Sequence, residues 1–221
     1  FAAFNGEHMT FLNATATPAA DGTVLLCAQG LDCRRGRRLL LRGVNLSLGP
    51  GEIVWLRGAN GSGKTSLLRV LAGLVQPERG RAWPGRGRSL FVGHANALKD
   101  DLTLAEAVAF LARLQGASSD RVPHALAQIG VSQCASSPVR QLSQGQRRRG
   151  SLARLALDAE APVRPWILDE PYDALDQSSS GVLSHWIEAH AHRGGAVLLT
   201  SHQPVTLRGM RTVDLDAWCA S

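Results

Sequence analysis

The sequence predicts an α/β fold, and three observations carry that expectation. An apolar run, Ile53-Val54-Trp55-Leu56, enters the glycine-rich stretch Gly58-Ala59-Asn60-Gly61-Ser62-Gly63-Lys64-Thr65 and then the helical pattern Ser66-Leu67-Leu68-Arg69-Val70-Leu71. Strand, glycine loop and helix in that order form one unit of an open α/β sheet. A second apolar run, Trp166-Ile167-Leu168, ends in Asp169-Glu170-Pro171, as a strand does when it delivers carboxylates to the ligand-binding edge of such a sheet. Between these runs, residues 95 to about 154 are patterned as helix, so a helical subdomain inserted into an α/β core is expected.

The remaining elements follow in chain order. Val24–Ala28 and Leu39–Leu48 read as strands, the second partly alternating. Gly49-Pro50-Gly51 turns the chain into the strand before the glycine loop. Gly73 ends the first helix, with Pro77 soon after. Pro84, Gly85 and Gly87 mark a loop before a short strand, Ser89–Val92. Thr103 reads as an N-cap, with Glu106 completing a capping box, and places Leu104, Val108, Leu111 and Ala112 on one face. A second helix is expected over about residues 120 to 129, before Gly130. Ser143 caps a third, whose apolar positions include Leu152, Leu155 and Ala156. Gly150 lies inside that helix, where glycine costs about 1 kcal/mol relative to alanine, and the sequence offers no compensation for it. Ala196–Thr200 is a late strand. Residues 1–22 show neither periodicity nor the basic start and apolar core of a secretory signal, and read as a disordered extension or as translated sequence upstream of the true start. The folded unit is expected over 23–221.

Composition narrows the partners. A chain of 221 residues can bury a sizeable core. Cys27, Cys33, Cys134 and Cys219 form no C-x-x-C pair and read as thiols in a reducing compartment, not as a zinc site or disulfide frame. No apolar run reaches the roughly 18 residues that span a bilayer. The net charge of +6 is mostly arginine. No aromatic platform accompanies it, so nucleic acid is not expected as a partner.

The chemistry starts at the glycine loop. Glycines allow successive backbone N–H groups to converge on phosphate oxygens, and the helix start adds its positive dipole end. Gly58 through Ser66 is therefore the expected triphosphate cradle. Lys64 would reach the β- and γ-phosphates, and the Thr65 hydroxyl would ligate Mg²⁺. Asp169 would hold Mg²⁺ through its water shell, which suits an ion that dehydrates reluctantly. Glu170, one residue on, is placed to orient and deprotonate an attacking water.

Leu142-Ser143-Gln144-Gly145-Gln146, alone, is an ordinary capped helix. Beside the other two motifs it resembles the signature of the ATP-binding-cassette family, over nearly everything from Val24 onward. Asp176 in Ala174-Leu175-Asp176 is similar to that family's D-loop aspartate, and His202 to its switch histidine. The resemblance implies a nucleotide-binding domain with a RecA-like core, an antiparallel β subdomain and an inserted helical subdomain. It also implies a head-to-tail homodimer formed on ATP binding. Each ATP would lie between one P-loop and the partner's Ser143, Gly145 and Gln146, with Asp176 at the seam, Glu170 as base and His202 on the γ-phosphate.

Two positions depart from the general cassette pattern. His94 stands where most cassettes carry a glutamine that touches Mg²⁺ and faces the membrane subunit; imidazole is a poorer Mg²⁺ ligand than an amide oxygen. Arg35 stands where an aromatic residue stacks on adenine, a task a guanidinium plane can also perform. Gly93-His94 before Lys99, Trp166–Pro171 and Thr200-Ser201-His202-Gln203-Pro204 together resemble the ATP-binding subunits of bacterial haem exporters for cytochrome c maturation. That branch implies peripheral placement on the cytoplasmic face of the inner membrane, with integral subunits of the CcmB and CcmC kind. It also implies ATP hydrolysis that energises release of haem-loaded chaperone of the CcmE type. A cassette serving another exporter, or a soluble cassette without a transport role, is the alternative.

Overall fold

The computed structural model describes residues 24–84, 89–158 and 161–220. The expected extension over 1–22, and Gly85 and Gly87 of the expected loop, lie outside the described residues. Two sheets organise the fold. Strands β1 (Leu26–Arg35), β2 (Arg38–Leu48) and β4 (Arg79–Pro84) make an antiparallel sheet in the order β2-β1-β4. Strands β3 (Ile53–Arg57), β5 (Leu90–Val92), β6 (Trp166–Leu168), β7 (Val197–Leu199) and β8 (Met210–Asp214) make a parallel sheet in the order β5-β6-β7-β3-β8.

Side chains alternate across the parallel sheet, as a strand's period of two requires. Val54, Leu56, Ile167 and Leu198 face one core, shared with the antiparallel sheet and helix α1 (Lys64–Leu71). Ile53, Val92, Trp166, Leu168, Val197 and Leu199 face a second core. It is covered by α2 (Leu104–Leu114), α3 (Val122–Gln128), α4 (Gln144–Leu157) and α5 (Gln177–His192). The central strands are buried on both faces, which is why they read as plain apolar runs.

The first expected strand starts at Leu26, not Val24, and does not stop at Ala28. Irregular register at Ala28/Leu31 and Leu31/Cys33 interrupts the alternation, and the strand resumes through Arg35. Strand β4 was not expected from its Arg79-Gly80-Arg81 start. Gly80 adopts φ +79, and a Cβ there would overlap the Gly30 and Gln29 carbonyls, so glycine admits this close pairing with β1. The helix expected at 120–129 is a 3-10 turn at Ser119–Arg121 followed by α3, which has proline in its first turn. The capping box at Thr103 and Glu106 forms as expected, and a second closes at Ser143 and Gln146. Gly150 now has a reason: a Cβ there would run into the Leu104 side chain, so the glycine lets α2 lie close on α4.

Candidate nucleotide site

The carboxyl edge of the parallel sheet gathers four loops, as expected where ligands bind in open α/β sheets. They are residues 58–63 after β3, Gly93-His94 after β5, Asp169-Glu170 after β6 and Thr200–His202 after β7. Between them opens a cavity of about 310 Å³. Of the residues singled out in the sequence, Arg35, Asn60, Gly61, Gly63, Lys64, Thr65, Ser66, His94, Asp169, Glu170 and His202 line it. Gly58, Ala59 and Ser62 complete the loop behind them.

The loop is shaped as a cradle. Gly58, Gly61 and Gly63 take φ +153, +80 and +107, values that L side chains adopt only with strain. A Cβ on Gly58 would sit 2.8 Å from the Ser62 Oγ, and one on Gly63 would press Leu41 at 3.1 Å. The Lys64 Nζ donates to the Gly58 and Ala59 carbonyls at 2.7 and 3.1 Å. Both acceptors are neutral, which leaves the ammonium charge for an incoming anion. In the same loop the Ser62 hydroxyl is buried without a hydrogen-bond partner among the described residues. An orphaned donor and an uncompensated cation around one glycine turn fit a triphosphate.

The donor set beside it fits Mg²⁺. The Thr65 hydroxyl donates to Asp169 Oδ2 at 2.9 Å, so two hard oxygens already meet where the P-loop helix and β6 converge. Asp169 is 2% exposed. The Thr200 hydroxyl donates to Asp169 Oδ1 at 3.0 Å and accepts from the Glu170 N–H at 2.9 Å. Glu170 has φ +50, a conformation that costs a non-glycine residue of order 1–3 kcal/mol and is retained where neighbours over-determine it. Its Oε2 accepts from the His202 backbone N–H at 2.8 Å, and its Oε1 lies 3.4 Å from the His202 Nε2. The carboxylate is therefore aimed into the cavity before any ligand arrives.

Arg148 was missed in the sequence, where it reads as one of three consecutive arginines. In the fold it is 3% exposed. Its guanidinium donates to the carbonyls of Gly93 at 2.8 Å, Asp169 at 3.0 Å and Glu170 at 2.6 Å. Burial lowers its pKa from the ordinary arginine value, opposed by the nearby carboxylates of Asp173, Asp169 and Glu170. Tyr172 and Asp173 also line the cavity and gave no signal in the sequence, whereas Ser201 and Gln203 line it from within the Thr200–Pro204 stretch already singled out.

Ser143, Gly145, Gln146 and Asp176 do not line this cavity. They gather at a different place. A Cβ on Gly145 would lie 3.1 Å from the Ala174 carbonyl, which puts the start of α4 against the segment leading to Asp176. Asp176 caps α5 by accepting from the Ser179 N–H at 2.8 Å and pairs with Arg149 at 3.2 Å. The Ser179 N–H, with help from Arg149, holds the Asp176 carboxyl below its usual range. The two groups of residues thus lie at separate places on the chain.

Comparison with known proteins gives this geometry a family context. The ABC transporter family matches residues 41–173, more than half of the chain. Two relatives are called cytochrome c biogenesis ATP-binding export protein CcmA. The one from Methylococcus capsulatus is 43% identical over 83% of this chain and 94% of its own length. The one from Cupriavidus necator is 41% identical over 93% of this chain and 94% of its own. Among solved structures, an ATP-binding subunit of an ABC transporter superposes with TM-score 0.72 at 25% identity, covering 80% of this chain and 79% of its own. An ABC transporter ATP-binding protein from Pyrococcus furiosus superposes with the same score at 21% identity, over 88% of this chain and 99% of its own, and attests the fold.

Proposed function

The chain belongs to the ABC transporter family of ATP-binding proteins, and from that premise we propose that it is the ATP-hydrolysing subunit of an export complex serving cytochrome c biogenesis. The observation that carries the ATPase reading is the hydrogen-bonded series Thr65, Asp169, Thr200, Glu170 and His202 at the mouth of the glycine loop. The names of the relatives support the cytochrome c assignment.

In this reading Lys64 exchanges its two loop carbonyls for the β- and γ-phosphates of ATP, and the loop N–H groups take the remaining phosphate oxygens. Thr65 and Asp169 would hold Mg²⁺. The ion would offset the negative charge that develops on the transferring phosphate. Glu170 orients a water and takes its proton as the water attacks the γ-phosphorus, and the bond from that phosphorus to the β,γ-bridging oxygen breaks with ADP as the leaving group. His202, anchored on Glu170 through its backbone, contacts the transferring group. Arg35 offers its guanidinium plane to adenine, and His94 faces the loop edge where a membrane subunit would be sensed.

Ser143, Gly145, Gln146 and Asp176 act on the nucleotide of a second copy. A helix start and its free N–H groups favour an anion, and within one chain this start does not reach the cavity. Two copies arranged head to tail would close two sites at once. The surface residues 95–154, with their helices, would face integral subunits of the CcmB and CcmC kind, working with a CcmE-type haem chaperone at the cytoplasmic face of the inner membrane. Among the described residues no helix is long and apolar enough to cross a membrane, so such subunits would supply the translocation path.

The test is complementation. A strain lacking this chain should lose haem-staining c-type cytochromes and regain them with the wild-type gene but not with Glu170→Gln. Intact c-type cytochromes in the deletion strain would move the chain to another exporter. Purified Glu170→Gln should bind Mg-ATP, hydrolyse it at least a hundredfold more slowly, and run as a dimer by light scattering; a monomer at saturating Mg-ATP would contradict the head-to-tail arrangement.

A further inference from the structure

We propose that Thr200 is a positioning residue for the metal: its hydroxyl fixes which oxygen of Asp169 is offered to Mg²⁺ and, through the same atom, where Glu170 stands. This deepens the ATPase reading and rests on it.

The geometry begins with sheet register. Strands β6 and β7 run parallel with Leu168 opposite Leu199, so the next residues, Asp169 and Thr200, leave the sheet side by side. The Thr200 N–H bonds the Leu168 carbonyl at 3.0 Å and locks that pairing. Thr200 is 0% exposed and does not line the cavity, so it cannot itself be a ligand.

A threonine hydroxyl has one proton. Because Thr200 Oγ1 accepts from the Glu170 N–H at 2.9 Å, its own proton is directed to Asp169 Oδ1 at 3.0 Å. The two oxygens of Asp169 therefore have different duties. Oδ1 is tied to a buried donor that solvent does not reach. Among the described residues Oδ2 accepts only from Thr65, which lies in the cavity wall and is the other expected metal contact. Oδ1 is occupied by the Thr200 hydroxyl, and Oδ2, beside Thr65, would be left for the ion's water shell, which suits an ion that dehydrates reluctantly. Partners one step behind a metal ligand commonly matter by 10–100-fold in affinity.

The same hydroxyl restrains the Glu170 backbone, which sits at φ +50. Its N–H is held by Thr200 and its carbonyl by Arg148 at 2.6 Å. Metal position and base position are thus linked through one oxygen atom. A hydrophobic residue at position 200 would fill the space and break both bonds.

The experiment uses the full chain carrying Glu170→Gln, so that Mg-ATP binds without turnover. The readout is the thermal upshift produced by saturating ATP as Mg²⁺ is titrated; ATP binding with EDTA present is measured separately by equilibrium dialysis. Thr200→Val, nearly isosteric, should raise the Mg²⁺ concentration giving half of the upshift by about tenfold, with metal-free ATP binding unchanged. Thr200→Ser should stay within about twofold of the parent, because it keeps the hydroxyl. If the valine variant does not fold, Thr200→Cys, a weaker donor of similar size, should give an intermediate shift. An unchanged Mg²⁺ requirement in the valine or cysteine variant overturns the inference. So does an equal impairment in the serine variant, which would point to packing of the methyl group. If the parent itself shows no Mg²⁺-dependent upshift with ATP, the ATPase reading fails first, and the two failures are told apart.

Discussion

Lowering the pH from 7 to 5 should destabilise the fold through a single imidazole, that of His190. The ring is 1% exposed and stacks on Trp166 with centroids 3.9 Å apart and planes 7° from parallel. Its Nε2 lies 2.8 Å from the Arg164 carbonyl, and its Nδ1 lies 3.3 Å from the Arg193 guanidinium. A carbonyl must receive a proton and a guanidinium must give one, so both contacts suit the neutral ring with hydrogen on Nε2. Burial is the main cause that pushes the His190 pKa down from 6.5 to about 4; the Arg193 and Arg164 cations add to it, while the Arg164 carbonyl and Asp158 oppose it. The unfolded chain takes up this proton near pH 6.5 and the folded chain only near 4, so the unfolded state binds more protons between those values. Stability is then intact above pH 6.5 and is lost as pH falls through that window. The gap corresponds to about 3 kcal/mol when fully expressed and about 2 kcal/mol at pH 5. Urea denaturation of the wild type and of His190→Gln at pH 7, 6 and 5 separates this residue from everything else that titrates. Glutamine keeps a donor for the Arg164 carbonyl and cannot be charged, so its stability should fall about 2 kcal/mol less over that range. Parallel loss in both proteins would refute the reasoning.

Other outcomes can be stated more briefly. Lys64→Ala should lower ATP turnover at least a hundredfold with an unchanged circular dichroism spectrum, since among the described residues its ammonium bonds only two loop carbonyls; near-normal turnover would remove the loop from the reaction. Gly150→Ala should cost about 1 kcal/mol, because overpacking against Leu104 at about 1–3 kcal/mol outweighs the better helix propensity of alanine. Pairing it with Leu104→Val should recover part of that loss in urea denaturation, and strictly additive losses would deny the contact. Asp158→Asn should destabilise the domain by several kcal/mol at pH 7, because the buried Asp158 carboxylate holds both the Arg164 guanidinium and the Trp166 indole N–H; an exposed-site effect below about 0.5 kcal/mol would be inconsistent with that burial.

What could be read from the sequence depended on how far each interaction reaches along the chain. The glycine loop, both capping residues and the strand before Asp169 are local patterns, and local patterns survive in one dimension. Strand β1 beyond Ala28 did not, because the register shifts near Gly30 break the alternation that marks a strand. Strand β4 did not either. Its start, Arg79-Gly80-Arg81, has no strand signature, and it exists because Gly80 admits the β1 backbone. Gly150 looked like a defect until Leu104, 46 positions away, proved to occupy the space a side chain would need. Arg148 and Thr200 were illegible for the same reason. Their roles lie in hydrogen bonds to residues 21 to 55 and 30 to 31 positions distant.

Those two residues also tie the start of α4 and the parallel sheet to the Glu170 backbone. Arg148 lies on α4, about a turn and a half after Ser143 caps that helix. Its guanidinium is the buried anchor for the carbonyls of Gly93, Asp169 and Glu170. Any rotation of α4 that re-aims Ser143 and Gly145 must either carry the Glu170 backbone with it or break the Arg148 bonds to the Gly93, Asp169 and Glu170 carbonyls, of which, among the described residues, Glu170 alone keeps a second donor, the Asp173 N–H at 3.1 Å. Each unsatisfied group of that kind costs about 1–3 kcal/mol, which makes independent motion the more expensive course. Thr200 opposes the motion from the other side, since it ties the Glu170 N–H to a strand in the middle of the parallel sheet. The Glu170 backbone is consequently held between helix α4, through Arg148, and the parallel sheet, through Thr200.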